Sequence, residues 1–208
     1  EPEFGVIAFG RFGDRCLGPG SDLDLVFVTD ADPVEAANAV RKRTAEWEAL
    51  GLKIDARLRP MGRTSPLVAH VDALAVYLDK EAETWERVAW THARVVGGAP
   101  ELRARLGGMI ERFVFEKPFG PDERRQVKEM RQRLLDEAGA TDLKRGPGGL
   151  IGIDFMLAAR RIETRAPDFD AAMLLADRPD ILKAWRFLRT LDTAARLAHG
   201  KPYRGDET

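Results

Sequence analysis

Acidic and basic side chains recur at two-residue spacing in two apolar segments of the chain. The first segment carries Asp22 and Asp24, and the second carries Asp55 followed by Arg57 and Arg59. Carboxylates grouped closely repel one another unless a cation lies between them, and their oxygens suit Mg²⁺ or Mn²⁺. Guanidinium groups beside such a metal can bind phosphate oxygens with two hydrogen bonds. The pattern therefore predicts metal-dependent phosphoryl or nucleotidyl transfer.

The strand period explains how these side chains would meet. Alternate residues of a strand face the same side, so Asp22 and Asp24 share one face while Leu23, Leu25 and Phe27 point to the other. Charges on a strand of Leu, Val and Phe are costly to bury unless they are used. Alternatively, the charges only keep a strand edge soluble. A glycine-containing turn before the first segment and a third aspartate in the second favour the metal site.

Composition limits the class of protein. The chain has 208 residues, of which 44% are apolar, enough for one large domain or two small ones. Its net charge of -1 creates no global attraction to nucleic acid or membrane. The single cysteine, Cys16, excludes an intrachain disulfide and suits a reducing compartment. We expect a cytoplasmic protein whose partners include neither nucleic acid nor membrane.

The apolar periodicity predicts three strands followed by helices. Strands are expected at residues 4–9, 23–28 and 53–58, with a helix from Pro33, capped by Asp32, to about Leu50. From residue 71 onward every expected element is a helix, including residues 82–96. Strand, helix and strand in this order give an α/β or α+β layer covered by helices. The chain opens almost directly on a strand, as an excised segment or a short version of a longer protein would.

The stretch from Gly10 to Leu25 resembles the nucleotidyltransferase signature of bacterial glutamine-synthetase adenylyltransferases. In that family a Gly-Lys-Leu-Gly-Gly-x-Glu-Leu segment precedes Ser-Asp-(Leu/Ile)-Asp-Leu at the spacing seen here. The similarity continues in order along the chain, through Asp-Ala-Arg-Leu-Arg-Pro, Thr-Trp-Glu-Arg, Ala-Arg-Val-Val-Gly and Asp-Leu-Lys with its following Gly-Gly, at residues 55–60, 84–87, 93–97 and 142–149. It therefore spans nearly the whole chain.

The resemblance implies a fold, a reaction and a set of site residues. The fold is α+β, with a nucleotidyltransferase-type mixed sheet flanked by helices in residues 1–119 and a helical domain in residues 120–208. The reaction is transfer of AMP from ATP to a protein tyrosine, with Mg²⁺ or Mn²⁺ as cofactor and glutamine synthetase as acceptor. Catalysis and metal binding would fall on Asp22, Asp24 and Asp55. The implied nucleotide-binding residues are Gly10, Gly13, Ser21, Arg57, Arg59 and Lys144.

Two positions depart from the family pattern. Asp14 stands at the second glycine of the family segment, and Cys16 stands at its glutamate. A glycine lets backbone N–H groups approach a triphosphate, whereas an aspartate adds negative charge beside negative charge. If Asp14 faces the phosphates, we expect Asp14→Gly to tighten ATP binding. The family enzymes are also much longer, with two catalytic halves.

Three other functions remain open. The family includes a half that removes AMP by phosphorolysis. Residues 85–87 are closer to that half, whereas residues 93–97 and 142–149 are closer to the adding half. The chain could also be a degenerate, non-catalytic module that binds a nucleotide or a protein, which Asp14 makes credible. A sugar transferase would use a similar Asp-Leu-Asp motif, but the absence of a larger nucleotide-binding sheet before it argues against that class.

Overall fold

In a computed structural model of the protein, residues 4–58, 65–139 and 142–200 are described. The chain forms two compact units. The first comprises Glu1–Leu17 and Asp22–Lys117, and the second comprises Gly18–Ser21 and Pro118–Thr208. The first unit contains the sheet, and the elements described in the second are helices. The assignment of residues 1–119 as a nucleotidyltransferase domain and of 120–208 as a helical domain stays a prediction.

The first unit is built on a five-stranded mixed sheet with helices around it. Its elements, in chain order, are β1 (Gly5–Ala8), α1 (Gly10–Gly13), β2 (Leu23–Thr29), α2 (Pro33–Ala49), β3 (Ile54–Asp55), β4 (Val68–His70), α3 (Val71–Lys80), α4 (Thr84–Trp90), β5 (Arg94–Gly97), α5 (Pro100–Glu111) and a π-helical turn (Arg112–Glu116). This is the α+β class that the sequence predicted.

β2 is the central strand of this sheet. It pairs with β1 in antiparallel orientation on one edge, and with both β3 and β4 in parallel orientation. Leu23, Leu25 and Phe27 are buried on one face, in a core that includes Ala36 and Val40 of α2. The alternation expected from the sequence is therefore present, and the intervening positions of β2 belong to the opposite face of the sheet.

The start of α2 has the predicted cap. The Asp32 carboxylate accepts hydrogen bonds from the N–H groups of Val34 at 2.7 Å and Glu35 at 3.1 Å. Pro33 occupies the first helical position, where its missing N–H is not needed. The cap stabilises the helix that connects β2 to β3.

Two predicted elements differ in the structure. The strand expected at residues 53–58 is only Ile54–Asp55, because the N–H of Arg57 turns back and donates to the Asp55 carboxylate at 2.9 Å. The helix expected at residues 82–96 ends at Trp90, and Arg94–Gly97 forms β5, antiparallel to β1. The adjacent valines of β5 favour a strand, and its pairing satisfies backbone groups of β1 that a helix would leave without partners.

The second unit has its own apolar core. Its helices are α6 (Pro121–Asp136), α7 (Leu150–Thr164), α8 (Ala171–Leu174) and α9 (Pro179–His199). Ile153 and Leu157 of α7 are buried with Leu174 and Leu175, and Trp185 of α9 packs against this cluster. No helix among the described residues is long and apolar enough to cross a membrane.

Candidate active site

Asp24 and Asp55 are direct neighbours across two parallel strands. The register of β2 and β3 pairs Leu23 with Ile54 and Asp24 with Asp55. Adjacent strands lie about 4.8 Å apart, so the two carboxylates leave the same face of the sheet side by side. Like charges in such positions destabilise a sheet unless something neutralises them. The structure thus brings together two of the predicted site residues and creates a need for a cation.

Arg57 supplies positive charge at this point. Its Nε–H donates to both oxygens of Asp55, at 2.9 and 3.0 Å, and its Nη2 group also donates to Oδ2. These hydrogen bonds lower the pKa of Asp55, and the pair raises the pKa of Arg57. The charges of Asp22 and Asp24 raise the pKa of Arg57 further. One guanidinium therefore interacts with all the predicted metal-binding carboxylates.

Metal binding requires a different arrangement of this cluster. No group of three or more His, Cys, Asp or Glu side chains within the described ranges is arranged to hold a metal ion. Both oxygens of Asp55 are engaged by Arg57. The donor chemistry nevertheless fits, because Asp22, Asp24 and Asp55 offer the hard oxygen ligands that Mg²⁺ and Mn²⁺ prefer. The residues fit the ion by type and neighbourhood, while their metal-binding role stays a prediction.

A glycine turn approaches the acidic pair. Gly10 begins α1 with φ of +52°, a conformation that L side chains rarely adopt. A Cβ at this position would lie 2.7 Å from Oδ2 of Asp24. The preceding residue, Phe9, donates its N–H to the Asp24 carbonyl at 2.9 Å. Only glycine therefore allows the backbone of this turn to lie against the Asp24 carboxylate.

Arg94 is a site-associated residue that the sequence analysis did not assign. Its Nε–H donates to the Gly13 carbonyl at 2.9 Å, and its Nη2 group donates to the Phe12 carbonyl at 2.7 Å. The guanidinium also lies 5.5 Å from the centre of the Phe12 ring. Arg94 lies in segment 93–97, which resembles the family, and this resemblance could have indicated a functional role. Because a helix was expected there, the sequence did not predict that Arg94 lies on a strand and contacts the glycine turn.

The expected effect of Asp14→Gly depended on Asp14 facing bound phosphates, and the structure does not meet that condition. Its side chain is only 2% exposed and is hydrogen-bonded to His92. Because a buried and paired carboxylate is neither directed to solvent nor uncompensated, the predicted charge repulsion with ATP has no structural basis. Spacing in a turn-rich segment cannot tell which side of the turn a side chain occupies, and the sequence therefore left the direction of Asp14 open.

Three of the predicted nucleotide-binding residues lie in the second unit or outside the described residues. Ser21 groups with the second unit, where its N–H donates to the Gly18 carbonyl at 3.1 Å. Lys144 is exposed in the second unit, in a turn closed by Asp142, which accepts the Lys144 N–H at 2.9 Å. Arg59 lies outside the described residues. Nucleotide contacts by all three stay predictions.

The fold and the acidic pair define a class of protein. A mixed sheet carries Asp24 and Asp55 on adjacent strands, beside a glycine turn, as expected of a nucleotidyltransferase-type domain. The sequence model of the family described as "Glutamate-ammonia ligase adenylyltransferase" matches residues 1–109. The chain belongs to this family, and the resemblance drawn from its motifs is confirmed.

Similar proteins with curated names extend the match along the chain. A bifunctional glutamine synthetase adenylyltransferase/adenylyl-removing enzyme of Bradyrhizobium sp. (strain ORS 278) is 33% identical over 94% of this chain and 21% of its own length. The protein of the same name from Methylococcus capsulatus (strain ATCC 33009 / NCIMB 11132 / Bath) is 36% identical over 75% of this chain and 19% of its own length. The chain thus spans about a fifth of the curated relatives that it matches.

Proposed function

We propose that this chain catalyses metal-dependent transfer of AMP from ATP to a tyrosine hydroxyl of a protein, with glutamine synthetase as the acceptor. The observation that supports the proposal most strongly is the register pair of Asp24 and Asp55, with Arg57 beside it and Gly10 against it. The two adjacent carboxylates provide negative charge for a metal ion, and the exposed guanidinium provides positive charge for phosphate. The single cysteine and the family both favour a cytoplasmic location.

The reaction breaks a phosphoanhydride bond of ATP and forms a phosphate ester bond to the tyrosine oxygen. The tyrosine oxygen attacks the α-phosphorus of ATP, the bond from that phosphorus to the oxygen bridging to the β-phosphate breaks, and pyrophosphate leaves. The phenolic proton is lost to solvent or to a nearby carboxylate. Asp22, Asp24 and Asp55 would hold Mg²⁺ or Mn²⁺, which when bound neutralises triphosphate charge and lowers the pKa of the acceptor hydroxyl.

Arg57 is proposed to move between two anionic partners. Its side chain is 80% exposed, so little packing opposes its release from Asp55. Bidentate contact with phosphate oxygens would replace the contact with the carboxylate, leaving Asp55 available as a ligand. The backbone at Gly10 and Gly13 would approach the phosphates, as glycine-containing turns do in nucleotide sites.

Removal of AMP is the second candidate, and the names of the relatives favour it. The curated relatives are called adenylyltransferase/adenylyl-removing enzymes, and this chain covers about 21% of their length. In the removing direction, an oxygen of inorganic phosphate attacks the phosphorus of the AMP-tyrosine ester, and the bond from that phosphorus to the tyrosine oxygen breaks. The products are ADP and tyrosine, whose oxygen takes up a proton. The same carboxylates and arginine would serve both directions, because both reactions form and break bonds at the same phosphorus.

Transfer of label tests the direction and the chemistry together. Glutamine synthetase incubated with the chain, Mg²⁺ and ATP labelled at the α-phosphate should become labelled, whereas ATP labelled at the γ-phosphate should give no labelled protein. Excess EDTA should stop labelling and added Mg²⁺ should restore it. In the removing direction, AMP-modified enzyme and inorganic phosphate should instead yield ADP.

Absence of both products under these conditions would contradict the proposal. Binding of Mg·ATP without either product would identify the non-catalytic module. Asp177→Asn serves as the matched control variant, because Asp177 pairs with Arg160 on the surface of the second unit and neither residue is proposed to bind metal or nucleotide. It should retain the wild-type rate.

A further inference from the structure

Asp14 and His92 form a buried pair at the end of the glycine turn. Nδ1 of His92 lies 2.9 Å from each carboxylate oxygen of Asp14. The side chain of Asp14 is 2% exposed and that of His92 is 14% exposed. An ionised carboxylate only accepts hydrogen bonds, so Nδ1 is the donor of this contact. His92, in the segment between α4 and β5, therefore anchors Asp14, the residue that directly follows α1.

The same segment contacts the turn at two further points. A Cβ on Gly13 would lie 1.8 Å from the His92 carbonyl oxygen, so the two backbones are in close contact. Arg94, two residues later, donates to the carbonyls of Phe12 and Gly13. His92 thus contacts the side chain of Asp14 and the backbone of Gly13. Arg94 binds the carbonyls of Phe12 and Gly13.

The turn has little stability of its own. α1 comprises four residues, Gly10–Gly13, and two of these are glycines, which lose more backbone entropy on ordering than other residues. A single helical turn does not form in isolation, because nucleation fixes several dihedral angles for one hydrogen bond. Tertiary contacts must therefore order it, and at its C-terminal end these include the contacts from His92 and Arg94.

We propose that His92 and Arg94 are positioning residues for nucleotide binding, acting through Asp14 and the carbonyls of the turn. The turn has Gly10 against the Asp24 carboxylate at its first residue and Asp14 against His92 at its end. Movement at the anchored end therefore shifts the backbone that lies beside the acidic pair. The nucleotide part of this inference rests on the proposed function, whereas the ordering of the turn does not.

The inference reverses the expected effect of Asp14→Gly. Charge repulsion predicted that the substitution would tighten ATP binding. Because Asp14 anchors the turn instead, its removal should loosen the turn and weaken binding of Mg·ATP about tenfold, the size expected when one strong buried contact of about 1.4 kcal/mol is lost. His92→Leu, which leaves the Asp14 carboxylate buried without its donor, should weaken it at least as much.

Hydrogen exchange measures the ordering of the turn without any nucleotide. The N–H groups of Gly13, Asp14 and Cys16 donate to carbonyls within the turn at 3.0, 3.0 and 2.9 Å. In the full chain carrying His92→Leu, these amides should exchange at least about tenfold faster, as local opening becomes easier. His92→Asn, whose side-chain amide can donate from nearly the position of Nδ1, should restore most of the protection and of the ATP affinity.

The controls separate anchoring from general destabilisation. His70→Ala removes the histidine that accepts the Asp72 N–H at the start of α3, in the same unit, and should change neither the exchange of the turn nor Mg·ATP affinity. If His92→Leu does not fold, Asp14→Asn, which keeps the shape but weakens the hydrogen bond, replaces it.

Unchanged exchange at Gly13, Asp14 and Cys16 in a folded His92→Leu protein would overturn the inference. Tighter Mg·ATP binding by Asp14→Gly would overturn it equally, because it would show that the charge acts on the phosphates. Faster exchange in the variant together with no Mg·ATP binding by the wild-type chain, measured by calorimetry, would overturn the proposed function and leave the anchoring of the turn in place.

Discussion

Two aspartate–arginine pairs in this protein show the same chemistry in different surroundings. In the first unit, Arg57 donates its N–H and its guanidinium to Asp55. In the second unit, Asp142 accepts the N–H groups of Lys144 and Arg145, both at 2.9 Å, and the Arg145 guanidinium at 2.9 Å. The pKa of each aspartate lies below its usual value.

The causes of the two pKa shifts differ. For Asp55 the side-chain hydrogen bond from Arg57 is the largest cause and lowers the pKa, while burial is the second largest and raises it. For Asp142 burial is the largest influence and raises the pKa, but hydrogen bonds from Arg145 and Lys144 outweigh it. Asp142 is thus held mainly by backbone groups that cannot leave without opening the turn. Asp55 is held mainly by an exposed side chain that can leave, and it has Asp24 beside it.

We infer that only the first pair is suited to exchange of ligands. A carboxylate whose partner is a mobile guanidinium can transfer to a metal at low cost, whereas one that closes a turn contributes to folding. If this distinction is right, substitutions in the first unit should affect activity more than stability, and substitution of Asp142 should affect stability first.

Asp24→Asn should have the largest effect. If Asp24 holds the metal as proposed, the substitution removes one anionic ligand, and phosphoryl-type transfer depends on positioning and charge neutralisation. Initial rates of AMP transfer in Mg²⁺ should fall by at least about 1,000-fold, equivalent to roughly 4 kcal/mol. The thermal midpoint should stay near that of the wild type. Activity that survives both this substitution and EDTA would show that the acidic pair is not the metal site.

Asp142→Ala should be the most destabilising of the substitutions compared. It leaves two partly buried backbone N–H groups and the Arg145 guanidinium without their acceptor, which costs about 1–3 kcal/mol of unfolding free energy. Urea denaturation followed by circular dichroism provides the measurement. Asp55→Ala, at the more exposed pair, should lose less unfolding free energy. A larger loss for Asp55→Ala would remove the distinction between the two pairs.

If Arg57 binds phosphate as proposed, Arg57→Gln should weaken binding of Mg·ATP about tenfold, because the substitution removes a bidentate contact. The unfolding free energy should change little, since the side chain is exposed. Calorimetric titration with Mg·ATP gives the affinity, with Arg178→Gln, from an exposed pair in the second unit, as control. Unchanged affinity would restrict Arg57 to neutralising the sheet edge.

The smallest expected effect is on the acid dependence of stability. A carboxylate with a lowered folded pKa contributes stability that is fully present above its unfolded pKa, about 3.9, and is lost as pH falls through the folded value. Urea denaturation between pH 7 and pH 3 should therefore show falling stability at the acid end. Asp142→Asn and Asp55→Asn should each reduce the loss of unfolding free energy at low pH. If the unfolding free energy of both variants falls with pH as steeply as that of the wild type, the lowered pKa values are contradicted.

The sequence was most informative where a regular period applies. Alternation along β2 correctly separated Leu23, Leu25 and Phe27 from the opposite face, and the cap at Asp32 was correct because its hydrogen bonds are local. The strand β5 was missed because its apolar residues also fit a helical stripe, and only pairing with β1 decides between the two. The Asp14–His92 pair joins residues 78 positions apart, which no local pattern specifies.

Cleavage of the chain by bound iron would test the central claim most directly. Fe²⁺ accepts the same oxygen ligands as Mg²⁺ and, with ascorbate and peroxide, cuts the backbone close to where it is bound. If Asp22, Asp24 and Asp55 hold the metal, cuts should map near residues 22–24 and 54–56, disappear with excess Mg²⁺ and be absent in Asp24→Asn. Cuts confined to other segments, or cuts at these positions that persist in Asp24→Asn, would contradict the account.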